Sequence, residues 1–183
     1  LSIYLQVVKG FDSQISGLIL ISQPLMMAIL SPYTGRLSDR VSPFKLASFG
    51  MALCALGLFS FIFISEHYSL PLIIVNLIVV GIGFAFFSSP NTNAVMACVE
   101  KEDYGVASSI LATMRSIGHS TSMAIVTFIV ARQMGNITLK EAEPKLLVET
   151  MHISFIVFTC VCAAGIFISL KRKLPAQGTK EGE

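Results

Sequence analysis

Gly35-Arg36-Leu37-Ser38-Asp39-Arg40-Val41-Ser42-Pro43 is a charged stretch between two long apolar runs, and its reading decides the fold. Ser42-Pro43 is a helix-start signal. Serine is a favoured N-cap, and proline suits the first helical position, where its missing N–H has no partner to lose. The stretch therefore reads as a tight turn between two helices, and each flanking run approaches the roughly 20 apolar residues needed to cross a bilayer.

The composition agrees. Of 183 residues, 54% are hydrophobic and 13% charged, there is no tryptophan, and the mean hydropathy is +0.74. A soluble globule does not have this balance. Working outward from the hinge, the apolar runs give spans at approximately 14–37, 44–65, 70–99, 104–132 and 151–170, with a partial one over 1–9. The run from Leu1 to Val8 is too short to cross about 30 Å of hydrocarbon, and the first residue is not methionine. We expect the chain to be a piece whose N-terminal part is missing. A net charge of +2 is too small to suggest a nucleic-acid partner. Cys54, Cys98, Cys160 and Cys162 lie in or at the end of apolar spans, where a small hydrophobe is the expected role, so no metal site is read.

Loop charges orient the chain. One side collects Arg36, Arg40, Lys45, Lys101, Lys171, Arg172, Lys173 and Lys180, and the other Lys9, Arg132, Lys140 and Lys145. The side richer in Lys and Arg is expected in the cytoplasm. That places the hinge, the Glu100–Asp103 turn and a disordered tail over 174–183 inside the cell, and the loop from Gly135 to Glu149 outside.

The spans differ in polarity. The third (44–65) holds nothing more polar than Ser48, Cys54 and Ser60, and the third and last are expected to face lipid over much of their surface. The second carries Gln23, Pro24 and Pro32, with Ser13 as its expected cap; proline frees a carbonyl that only protein or water can satisfy in a membrane. The fourth carries Asn76, Gly81, Gly83, Pro90, Asn91 and Asn93. The fifth carries Arg115, the only strongly charged residue within an apolar run, followed by Gly118 and His119. Arg115 and His119, at i and i+4, share a face.

A charge in the hydrocarbon costs about 2.5 kcal/mol or more, so Arg115 must be paired, hydrated or functional. Two readings stay open: a cavity cation for an anionic group or for a carboxylate elsewhere in the protein, and a structural bond to carbonyls or Asn side chains. His119 reads as a proton relay or, more commonly, as a hydrogen-bonded packing residue. Gln23, Asn76, Asn91 and Asn93 either line a cavity or join helices, and Gly81, Gly83 and Gly118 suit close helix packing.

Gly35-Arg36-Leu37-Ser38-Asp39-Arg40 resembles the G-x-L-x-D-R loop signature of the major facilitator superfamily. Tyr4–Gly10 with Gly17-Leu18, and Gly81-Ile82-Gly83 through Pro90 to Gly105–Ser109 and Arg115–Gly118, are similar to the C-terminal half of its fourteen-span drug:proton antiporters. Where the usual signature continues with a glycine and two bases, Ser42, Pro43 and Phe44 stand here, the form of a second-half copy. The resemblance implies an all-α transmembrane fold, namely the C-terminal six-helix bundle of a major facilitator with its first helix truncated. It further implies a multi-pass cell-membrane transporter, a missing N-terminal half as partner in the bilayer, and efflux of drugs or other amphipathic small molecules. The driving force would be a proton gradient, with no cofactor. Gly35, Arg36, Asp39 and Arg40 would form a conformational latch. Transport of one specific metabolite is the alternative within the same fold. A membrane-embedded enzyme finds no H-E-x-x-H, no G-x-S-x-G and no buried carboxylate pair, and a non-transporting scaffold leaves the polar fourth and fifth spans unexplained.

Overall fold

The computed structural model describes residues 1–65, 68–134 and 144–171, and in it the chain is helical throughout apart from short connections. The helices are α1 (Ser2–Val7), α2 (Ser13–Leu20), α3 (Ser22–Ser38), α4 (Pro43–Ile62), α5 (Leu70–Met96), α6 (Tyr104–Met134) and α7 (Pro144–Lys171), with a 3₁₀ turn at Lys101–Asp103. The expected outer loop falls outside the described residues over 135–143, as do Glu66, His67 and the expected tail over 174–183, whereas its remainder, 144–149, is not loop but the start of α7, seven residues before the expected span.

Helix starts follow local chemistry. Pro43 opens α4 after Ser42, although the Ser42 side chain makes no capping bond. The second span begins at Ser13, its expected cap, and is capped one residue earlier: Asp12, in extended conformation, accepts a hydrogen bond from the Ser13 N–H at 2.8 Å. The span then divides at Ile21 into α2 and α3. Pro24 explains the division, since it has no N–H to offer the carbonyl of Leu20. The break is tightened locally, with the Ser22 hydroxyl donating to the Ile19 carbonyl at 2.7 Å.

Four segments are long and apolar enough to cross a membrane: Ser13–Ser38, Pro43–Ile62, Leu70–Met96 and Pro144–Ser169. α6, though 31 residues long, is absent from that set among the described residues because its serines, Arg115 and His119 dilute it. A helix of that length and polarity crosses only against protein or water.

α5 is the centre of the bundle, packed between α3 and α4, with α7 on the far side of α4. Glycine makes these approaches possible. A Cβ on Gly83 would lie 2.8 Å from the Cys54 backbone nitrogen, and one on Gly50 would lie 2.5 Å from that of Phe87, so α4 and α5 interlock backbone to backbone. A Cβ on Gly81 would lie 2.5 Å from the Gln23 carbonyl oxygen, where α3 crosses. Gly81 and Gly83 are two residues apart, about 200° around a helix, and so serve opposite neighbours.

α4 departs from the expectation of a largely lipid-facing span. Leu46, Ala47, Gly50, Cys54, Gly57 and Phe61 are buried against its neighbours, while Phe49, Leu56 and Phe59 point outward. It has one exposed stripe and two protein contacts. α7 joins it through the Ser48 and Ser169 hydroxyls, 2.7 Å apart.

At the end opposite the hinge, Tyr4, Leu5, Ile19, Phe61, Ile64, Ile73, Leu77 and Leu147 form the apolar core. Its polar groups are tied down: the Tyr4 hydroxyl donates to the Ser65 carbonyl at 2.6 Å. Asn76 belongs to this packing, its buried carboxamide donating to the Gly57 carbonyl across α4 and α5 at 2.9 Å. Interhelical bonds of this kind contribute about 0.6–1.7 kcal/mol. Asn76→Ala should lower the unfolding free energy in detergent by about that amount, as read by thermal unfolding of the whole protein.

Candidate functional site

Of the polar residues picked from the sequence, three meet at one cleft. Gln23 and Pro24 at the start of α3, Phe84, Phe87 and Ser88 on α5, and Arg115, Gly118 and His119 on α6 line an open cavity of about 600 Å³, with Met27 as a further apolar wall. That volume is within the range of small-molecule sites.

Each wall has a local cause. The backbone of Gln23 sits in the notch left by Gly81, which sets the α3 side of the cleft. Phe84, Phe87 and Ser88 follow i, i+3, i+4 spacing and so share one stripe of α5. Gly118, expected as a close-packing point, has no atom of the described residues within 4 Å of where a Cβ would stand, so here its missing side chain widens the cleft. Among the described residues Arg115 is anchored by one bond, its Nη2 donating to the Thr92 hydroxyl at 2.8 Å, while that hydroxyl donates to the Ser88 carbonyl at 2.9 Å. The partner is therefore a threonine rather than a carbonyl or Asn side chain. Nothing in the sequence marks Thr92, because a lone threonine on a helix usually bonds its own backbone. Neither aromatic ring was singled out either: phenylalanines are ordinary in spans.

The other expected site residues lie elsewhere. Asn76 joins α4 to α5, as described. Asn91 is half-buried on α5 outside the cleft. Asn93 reaches the hinge, where its Nδ2 donates to the Ser38 hydroxyl at 2.6 Å and lies 3.5 Å from the Gly35 carbonyl. Ser38 in turn donates to the Gly35 carbonyl at 2.6 Å, and a Cβ on Gly35 would come within 3.0 Å of the Ser89 hydroxyl. Thr34 completes this seam by donating to the Ala85 carbonyl at 3.0 Å. The hinge end of α3 is thus fastened to α5 by Thr34, Gly35 and Ser38, while Arg36, Asp39 and Arg40 are exposed. Pro32 and Pro90 lie inside helices that continue through them, Pro90 fully buried.

Over residues 1–183 the sequence matches the family model described as Major Facilitator Superfamily. The chain belongs to the major facilitator superfamily. Its relatives include the uncharacterized transporter YebQ of Escherichia coli, 30% identical over 94% of this chain and 36% of the relative. The riboflavin transporter RibZ of Clostridioides difficile is 24% identical over 93% of this chain and 37% of its own length. The multidrug resistance protein Stp of Mycobacterium tuberculosis is 34% identical over 70% and 24%, respectively. This major facilitator chain thus spans about a third or less of the length of these relatives. Membership makes it part of an integral membrane protein in a family of transporters, not enzymes. Gly35–Ser38, expected as part of a turn, form the last turn of α3, the connection to α4 is only residues 39–42, and the cleft opens between α3, α5 and α6.

Proposed function

We propose that the whole protein is a secondary transporter that exports amphipathic compounds at the expense of a proton gradient. This chain supplies one of two bundles that rock about a shared site, in the manner of repeat-built transporters. The observation that carries the reading is the cleft itself. Phenylalanine and methionine walls beside a few polar groups suit binding of bodies of varied shape. The relative named as a multidrug resistance protein supports the same choice.

Conformational change would be biased at the hinge. Asp39 ends α3 exposed, and among the described residues no ion pair joins it to Arg36 or Arg40. Its charge is available to a surface outside this chain, and a contact made in only one conformation shifts the equilibrium toward it.

Transport of a single metabolite is the second reading, favoured by the relative named as a riboflavin transporter. The full-length protein in proteoliposomes separates the two. Export reads as accumulation of several unrelated amphipathic dyes that collapses when the pH gradient is dissipated. Saturable flux of riboflavin or another single solute, with no dye movement, would overturn it.

A further inference from the structure

The lining of the cleft has a sign. Among the described residues it contains a guanidinium and an imidazole one helical turn apart, Arg115 and His119, and no carboxylate. Arg115 has five N–H donors in a planar fork, and one is spent on Thr92. Thr92 is itself oriented, since its proton goes to the Ser88 carbonyl and its oxygen is left to accept from Arg115. The guanidinium is therefore held in place by a neutral group that fixes its position without cancelling its charge. Arg115 lines the cleft, and among the described residues its other four N–H groups have no hydrogen-bond partner. Beside it stand the rings of Phe84 and Phe87, which offer area to a flat apolar body.

Resting on the transport reading above, and narrowing its substrate, we propose that the cleft selects organic anions: an aromatic or otherwise flat apolar body bearing a carboxylate, sulfonate or phosphate. Arg115 takes the anionic group by its fork, Phe84 and Phe87 take the body, and Thr92 is a positioning residue that holds Arg115 in register. An oxyanion matches a guanidinium two bonds at a time, and it does so most strongly where water is scarce. A cation of the same shape would meet Arg115 with like charge, so discrimination by repulsion accompanies discrimination by bonding.

The test uses the full-length protein in proteoliposomes with carboxyfluorescein as the anion and rhodamine 6G, a cation on the same ring system, as its counterpart. The expected result is saturable carboxyfluorescein flux whose KM rises at least tenfold in Arg115→Gln and several-fold in Thr92→Val, the latter at nearly unchanged maximal rate. Arg115→Lys should keep the preference for the anion while losing part of the affinity, and Arg115→Gln should raise rhodamine flux relative to carboxyfluorescein. Rhodamine flux in the wild type with no carboxyfluorescein flux would overturn the anion proposal and leave the transport reading intact. So would an Arg115→Gln variant that slows both dyes equally and loses its dependence on the pH gradient, the mark of an arginine serving a coupling carboxylate. No flux of any amphipathic dye by correctly folded wild-type protein would overturn the transport reading itself.

Discussion

Replacing Gly50 by alanine is expected to destabilise the bundle by roughly 3 kcal/mol or more, at or beyond the usual upper limit for overpacking. The methyl group would arrive 2.5 Å from the Phe87 nitrogen and 2.7 Å from the Gly83 carbonyl oxygen. Both are backbone atoms of α5, so no side chain can turn aside, and α4 and α5 would have to separate. Separation would also strip the Asn76–Gly57 bond and part the seam around Cys54. The measurement is the unfolding midpoint of full-length protein in detergent, with the fraction surviving size exclusion as a second readout. Gly118→Ala is the matched control: its added methyl meets open space, and the midpoint should not move. Equal behaviour of the two variants would show that the interlock of α4 and α5 does not hold in the membrane.

Asp39→Asn is expected to reduce transport at least tenfold while leaving folding untouched. The reasoning begins at the helix terminus. A carboxylate at the C-terminal end of α3 faces the negative pole of the helix, which is unfavourable by about 0.3–1 kcal/mol at an exposed site. Within this chain the acid therefore contributes nothing to stability, and its removal should raise the unfolding midpoint slightly or not at all. A residue that costs its own helix and has no ion pair among the described residues is, on the proposed reading, used in one state of the transport cycle. Transport in proteoliposomes, normalised to reconstituted protein, gives the first number, and the unfolding midpoint gives the second. Normal flux in the variant would sink the latch, and lost flux with a lowered midpoint would assign Asp39 to folding instead.

The helices were legible in the sequence because period and length mark them: the Ser42-Pro43 start, the Pro24 interruption and the polar dilution of α6 all have local causes. Close packing of Gly81 and Gly83 was legible for the same reason, since glycine in a span has few other uses. Partners were not. Asn76, Asn91 and Asn93 look alike in sequence, yet one joins helices in the core, one stays outside the cleft and one fastens the hinge. Rotation about the helix axis decides among these outcomes, and that rotation is set by neighbours distant in the chain. Gly118 misled for a related reason: a small residue permits a close approach but does not compel one. Arg115 stood out by its cost alone, whereas Thr92, which holds it, could not be seen until α5 and α6 were side by side.

α6 touches the rest of the bundle lightly, with Ala107 and Ile129 as its buried residues, while α3, α4, α5 and α7 carry the interlocked glycines and the apolar core. The interlock of α4 and α5 is therefore separate from the face of α6 that bears Arg115 and His119. On the proposed reading, substitutions along the cleft face of α6 would alter what is bound while leaving the interlocked glycines of α4 and α5 untouched.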